Sequence, residues 1–246
     1  MSRWHDSGTR RFLYRAMVKS RVEVERRVGP VTGAKRALAW PARGNLSWLA
    51  AVYGSDKGAT AHRFAELYER HFGPVRHTTK TVLEIGVHRG ASLQMWRDYF
   101  PRAQVYGLDI NETSIPGPRI ETFRGDQSDP EVLAKLRALG PFDVVIDDGS
   151  HRAPHVWASF AGLFGAVKPG GFYVIEDMHT SYWTGRYEGG PPGHPDTSVK
   201  LVQGLLDAVN RGRMTETYPA EAAAQPPVDA LHIYPEIAFV SKSSAA

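Results

Sequence analysis

The chain has 246 residues, 42% of them hydrophobic, which suits one large α/β core with appendages better than two independent domains. Cysteine is absent, so disulfides, thiolate metal sites and cysteine nucleophiles are excluded, although no compartment is fixed by that alone. The formal charge of +4 is uneven: residues 1–43 hold eleven Lys or Arg against three Asp or Glu, and residues 44–246 hold 19 against 23.

That asymmetry predicts a basic N-terminal arm over 1–43 and a net acidic domain over 44–246. In the arm, Leu13, Met17, Val24 and Val28 recur at helical spacing, so it reads as an amphipathic helix packed on the domain or on a second copy, which makes a homo-oligomer such as a dimer the expected state. Its glycines and aromatics are not interleaved as in a nucleic-acid-binding arm, which argues against a nucleic-acid partner. The start lacks an apolar run of roughly 7 to 15 residues before a cleavage site, and no later stretch is long enough to span a bilayer. A cytoplasmic protein is the expectation.

Past Pro30 and Pro41, Asn45 or Ser47 opens a helix. In GSDKGATAHRFAELYERHF, Phe64, Leu67, Tyr68 and Phe72 share a helical face. TVLEIGVHRGASLQMWRDYF runs from a buried strand through a glycine turn into a helix with Leu93, Trp96 and Phe100 inward. QVYGLDI and IETFRG read as the second and third strands, EVLAKLRALG as a helix, FDVVIDD as the fourth strand, VWASFAGLFGAV as a helix and GGFYVIED as the fifth strand. Residues 184–196, TGRYEGGPPGHPD, form a loop or lid. Thr197 or Ser198 caps a helix with an apolar stripe of Val199, Val202, Leu205, Leu206 and Val209, and MTETYPA and LHIYPEIAFVSK supply two closing edge strands. The alternation predicts a parallel sheet with helices on both faces.

In such a sheet, ligands bind at the carboxyl ends of the strands. There the first turn offers Glu84, Gly86 and Gly90, with Ser92 opening the next helix. A dinucleotide fingerprint would carry a middle glycine where Val87-His88-Arg89 stands, and Glu84 would repel a pyrophosphate. Asp109 ends the second strand, where a carboxylate receives ribose hydroxyls, and Asp126 and Gln127 follow the third, within reach of an adenine. A cofactor with an amino acid, a positive centre and no phosphates fits this set, and S-adenosylmethionine is such a molecule.

The fourth strand ends in VVIDDGSH and the fifth in VIEDMHTSYW. If these strands are neighbours, Asp148, Glu176 and Asp177 converge, and three carboxylates without cysteine call for a hard divalent cation such as Mg²⁺. His151 is placed to act as general base toward a hydroxyl. His179, Tyr182 and Trp183 precede the loop and are candidates for the acceptor pocket, aromatic rings being suited to sugar faces. His88 and His155 read as surface or structural residues.

TVLEIGVHRGAS, the acid of YGLDI, GDQSD, FDVVIDDGSH and GGFYVIEDMHTSYW together resemble the metal-dependent sugar O-methyltransferases of natural-product pathways, as do YGSDKG and LHIYPEIAFVSK. The resemblance covers about residues 50–242. It implies a class I methyltransferase sheet, Rossmann-like, with helices on both faces and an antiparallel last strand. It further implies S-adenosylmethionine at Glu84, Gly86, Gly90, Asp109, Asp126 and Gln127, Mg²⁺ at Asp148, Glu176 and Asp177, His151 as base, and a small sugar or oligosaccharide as acceptor. The short basic arm departs from the long auxiliary domain of the larger macrolide enzymes. A narrower resemblance, on length and on Arg- and Ala-rich composition, is to mycobacterial methylation of the reducing-end 1-hydroxyl of short 3-O-methylated mannosides in methylmannose polysaccharide biosynthesis.

Overall fold

The computed structural model describes residues 39–58 and 62–244, so most of the arm predicted over 1–43 lies outside the described residues. Seven strands form one sheet: β1 (Thr81–Ile85), β2 (Gln104–Asp109), β3 (Ile120–Arg124), β4 (Phe142–Asp147), β5 (Val167–Ile175), β6 (Val228–Tyr234) and β7 (Ile237–Lys242). Their order is β3-β2-β1-β4-β5-β7-β6. The first five are parallel, and β7 runs antiparallel between β5 and β6. The predicted adjacency of the fourth and fifth strands is therefore present, with Asp147 opposite Ile175.

Side chains alternate across a strand, and this parity sorts the core into two layers. Val82, Val144, Ile146 and Val174 face helices α1 (Leu46–Tyr53), α2 (Phe64–Phe72) and α3 (Ala91–Tyr99), where Tyr68, Phe72, Trp96 and Phe100 pack edge-on or tilted. Leu83, Ile85, Val145, Tyr173 and Ile175 face α4 (Pro130–Ala138), α5 (Ala153–Leu163) and α6 (Ser198–Val209). Extending the parity beyond the strand ends puts Glu84, Asp148 and Glu176 on the α1–α3 side and Asp147 on the other. Backbone bonds from Asp148 N–H to the Ile85 carbonyl (3.0 Å) and from Glu176 N–H to the Asp147 carbonyl (3.0 Å) carry the ladder into those positions.

Local chemistry sets the helix starts. Asn45 caps α1 by accepting from Trp48 N–H at 2.7 Å, Asp129 caps α4, and Thr197 caps α6 through Lys200 N–H at 3.1 Å. Leu93, Trp96 and Phe100 point inward as expected.

Two expectations fail. The buried stripe of α6 is Ser198, Leu201, Val202, Leu205 and Ala208, whereas Leu206 and Val209 are exposed, because the face that meets the sheet is rotated by about one residue from the most apolar one. MTETYPA makes no strand: it spans the turn between short helices α7 (Arg211–Met214) and α8 (Pro219–Ala224), Pro219 standing at the first helical position where its missing N–H is not needed. Both closing strands come from residues 228–242, as a hairpin turning at Pro235-Glu236, with β6 at the sheet edge and β7 inside it. Among the described residues no helix is long and apolar enough to cross a membrane.

Candidate active site

The carboxyl ends of β1, β4 and β5 bring Glu84, Asp148 and Glu176 together, and a lysine sits among them. Lys57, between α1 and α2, is 1% exposed, with Nζ 2.6 Å from Asp148 Oδ2, 2.7 Å from Glu176 Oε1 and 3.6 Å from Glu84 Oε1. Burial pulls an ammonium toward neutrality, but Asp148, Glu176 and Glu84 outweigh it and hold Lys57 well above the usual lysine range. Burial pushes Glu84 up to about 7, despite Lys57 and hydrogen bonds from Ser92 Oγ (2.7 Å) and Trp96 Nε1 (3.1 Å). Glu176 is raised by burial and by neighbouring Asp148, and its Oε1 also accepts from Tyr68 Oη at 2.5 Å.

Asp177 lies one residue beyond and turns away from this group. Its φ of 53° places it in the left-handed region, as do the 56° of His151 and the 72° of Glu236, a conformation that non-glycine residues keep only where the surroundings over-determine it. His151 Nε2 is 3.3 Å from Asp177 Oδ2 and 3.8 Å from Asp148 Oδ1. Asp148, His151 and Asp177 each offer one ligand atom within 4.8 Å of the others. The Thr180 hydroxyl donates to the His151 carbonyl at 3.1 Å, fixing the loop that carries the imidazole.

Of the residues expected to hold a metal, Asp148 and Asp177 thus meet with His151, whereas both polar contacts of Glu176 fall on its Oε1, toward Lys57 and Tyr68. The missing actors were Lys57, Tyr68, His62 and Glu236. His62 Nδ1 stands 3.3 Å from Glu236 Oε2 and 3.8 Å from Asp177 Oδ1. Lys57 lay inside YGSDKG, Tyr68 on the apolar face of its helix and Glu236 inside LHIYPEIAFVSK, but none of these signals carried a side-chain role at the site.

The nucleotide end is organised by its own acids. Gly86 (φ 92°) passes so close to Asp148 that a Cβ there would lie 2.0 Å from its carbonyl oxygen, and at Gly90 (φ 75°) a Cβ would strike Ile115. Asp109 Oδ2 accepts from the Val87 and His88 N–H groups at 3.0 and 2.8 Å, pinning this turn, while Oδ1 accepts from Asn111. Glu84 and Ser92 bond to each other in the interior, rather than facing the crevice, because strand parity turns Glu84 toward α3. Gln127 is buried: its Nε2 donates to Asp147 Oδ1 and Ser159 Oγ, and its Oε1 accepts from Ser150 N–H at 2.7 Å. It fastens the loop that follows β4. Asp126 stays half-exposed, with Oδ1 accepting from Ser128.

A cavity of about 400 Å³ opens beside the acids, lined by Met178, His179, Tyr182, Ile233, Tyr234 and Glu236 among others. Of the residues expected to line an acceptor pocket, His179 and Tyr182 line this cavity. Trp183 stacks edge-on against His179 from outside that lining (centroids 4.5 Å apart). The 184–196 segment is a loop with one short 3-10 turn, Gly185–Tyr187, and is tied back by Arg152 to Glu188 and by Gly189 and Gly190 N–H groups to the Trp183 and Ser181 carbonyls.

A parallel sheet reversed only at β7, with acids gathered at its carboxyl edge, defines the class I methyltransferase fold. Residues 61–162 match the family described as FtsJ-like methyltransferase. The chain is 43% identical over 213 residues to mycinamicin VI 2''-O-methyltransferase of Micromonospora griseorubida, covering 80% of this chain and 52% of that one. It is 42% identical to demethylmacrocin O-methyltransferase of Streptomyces fradiae, covering 82% and 54%. The solved structure of the MycE methyltransferase in complex with Mg, SAH and mycinamycin VI superposes with a TM-score of 0.75 at 43% identity, over 81% of this chain and 53% of that one. The chain spans about half the length of the curated relatives it matches.

Proposed function

We propose that the chain is an S-adenosylmethionine- and Mg²⁺-dependent O-methyltransferase acting on a sugar hydroxyl, with the sugar carried by a natural-product aglycone. The observation that carries this reading is the meeting of Asp148, His151 and Asp177 beside a cavity, in a chain 43% identical to a sugar O-methyltransferase.

The donor set fits a hard cation. Asp148 and Asp177 bring carboxylate oxygens together beside an imidazole, with no sulfur donor, and oxygen donors are what such a cation takes. In this reading Asp148, Asp177 and Glu176 would hold Mg²⁺, Glu176 also being engaged at Oε1 by Lys57 and Tyr68. Mg²⁺, when bound, supplies the Lewis acidity that makes an alcohol a usable nucleophile near neutral pH. His151 takes the hydroxyl proton on Nε2, and Asp177 Oδ2, 3.3 Å away, steadies the imidazolium that results.

S-adenosylmethionine, when bound, supplies the electrophilic methyl group. The crevice fits its uncharged nucleoside end: Gly86 and Gly90 keep the turn after β1 bare, Asp109 holds that turn and reaches the ribose, and Asp126 offers its free edge to the adenine. Glu84, Ser92 and Gln127 shape the walls from behind, since they are buried, whereas Asp109 is part-exposed. His179 and Tyr182 receive the acceptor, with Trp183 as their support. The 184–196 loop covers the pocket, and the 1–43 arm serves assembly into a cytoplasmic homo-oligomer.

The test is mass-spectrometric detection of one added methylene on rhamnosylated aglycones, macrolide glycosides, 3-O-methylated mannosides and catechols, with Mg²⁺ or with EDTA. Gain on a glycoside that EDTA abolishes is expected. Gain on catechols alone, or gain indifferent to EDTA, overturns the proposal. The relatives' acceptors favour an aglycone-borne sugar, and gain confined to the 1-hydroxyl of mannosides would replace that acceptor by the narrower one.

A further inference from the structure

Asp177 presents its two oxygens in opposite directions. Oδ2 faces His151, but Oδ1 faces a different set of groups: His62 Nδ1 at 3.8 Å, which itself lies 3.3 Å from Glu236 Oε2, whose other oxygen is 3.9 Å from His179 Nδ1. His62, Asp177 and Glu236 place one ligand atom each within 4.8 Å of the others. These residues come from three places in the chain: the turn before α2, the end of β5 and the β6–β7 hairpin. The last two are locked together by a Met178 N–H bond to the Glu236 carbonyl at 2.9 Å.

The hydrogen bonding of this group does not close. Asp177 Oδ1 and His179 Nδ1 are both buried and both lack a partner, and the Asp177 side chain is only 10% exposed. Asp177 Oδ1 is an acceptor only, and the His62 Nδ1 proton is directed to Glu236 Oε2 rather than to it. A buried acceptor left unpaired is rare, because it gives up its hydration with nothing in exchange. A cation between His62, Asp177 and the part-exposed Glu236 answers it. The neighbouring cavity, whose lining includes His179 and Glu236, gives an ion a way in.

We infer that His62, Asp177 and Glu236 form a second cation site that takes a first-row divalent transition ion such as Zn²⁺, with Asp177 shared with the Asp148–His151 side. An imidazole with two carboxylates suits such an ion, whereas Mg²⁺ prefers oxygen ligands and retained water. Two of its three ligands lie outside the centre proposed for methyl transfer, and the site stands whatever the acceptor proves to be.

The experiment is equilibrium dialysis of the chelator-stripped full chain against Zn²⁺ in a large excess of Mg²⁺, with bound zinc counted by mass spectrometry. One zinc per chain is expected to persist. His62→Ala and Glu236→Gln are each expected to weaken it by at least about tenfold, the loss that even an outer partner's removal brings, while His151→Ala keeps it. Glu236→Gln lies on a partly exposed hairpin turn and guards against misfolding of the His62 variant, with circular dichroism as the check. No retained zinc in the wild type, as when a water satisfies these groups, overturns the inference. So does zinc binding that follows His151 and ignores His62 and Glu236.

Discussion

Two groups of carboxylates meet at the carboxyl edge of the sheet, and they solve the same charge problem differently. Glu84, Asp148 and Glu176 lie beneath α1–α3 around Lys57, a cation built into the chain and 1% exposed. Asp177 and Glu236 lie on loops among His62, His151 and His179, where buried ligand atoms stay unpaired and a cavity opens. The first group is complete as the chain folds; the second has room for something the chain does not supply. Asp148 touches both, with Oδ2 on Lys57 and Oδ1 toward His151. Stability and chemistry are thus assigned to adjacent oxygens of one residue.

Substitutions that remove the built-in cation separate the two groups most sharply. Lys57→Met leaves three buried carboxylates without their counter-charge, and breaking a buried pair from one side costs about 3–5 kcal/mol. A fall in unfolding free energy of that size, seen as a lower urea midpoint, is expected. On the open side, His151→Ala is expected to lower turnover by about 10²–10⁴-fold with an unchanged midpoint, read by the same unfolding curve and by methyl transfer from labelled cofactor. If both substitutions damaged stability alike, the division would be lost.

A smaller effect follows from Glu84. Its folded pKa, about 7 through burial, lies above the ordinary carboxylate value, so the folded state holds a proton that the unfolded state releases. The contribution to stability is full below the ordinary carboxylate range and is lost as pH rises through about 7. Asp147, pushed up by burial to about 6, acts in the same direction. Thermal midpoints measured from pH 4.5 to 7.5 are expected to decline less steeply in Glu84→Gln than in the wild type, while an unchanged slope would show that Glu84 stays ionised. Smallest is Asn45→Ala, which removes the cap of α1 and is expected to cost about 1 kcal/mol, measured by the same unfolding curve and leaving turnover untouched.

The acids were legible because period-two parity and strand adjacency are local facts: VVIDD and VIED each announce where their carboxylates fall once β4 and β5 pair. The glycine turn and the Thr197 cap were legible for similar reasons. Their partners were not. Lys57 lies 91 residues from Asp148 and His62 lies 174 from Glu236, and no spacing rule joins a turn before a helix to a hairpin at the far end of the chain. The convergence of Asp148, Glu176 and Asp177 suggested a divalent cation, yet the sequence could not say that a lysine would stand among Glu84, Asp148 and Glu176. The α6 stripe failed because apolarity alone does not choose which face meets the sheet, and MTETYPA failed because Pro219 starts a helix.

The most direct measurement is a crystal structure with Mn²⁺ in place of Mg²⁺ and with S-adenosylhomocysteine, using manganese anomalous scattering to locate the ion. A peak bordered by Asp148, Glu176 and Asp177, close to His151, is expected, with the Lys57 ammonium still on Asp148 Oδ2 and Glu176 Oε1. A peak in the position of the Lys57 ammonium with the lysine displaced, or none beside Asp177, would contradict that assignment.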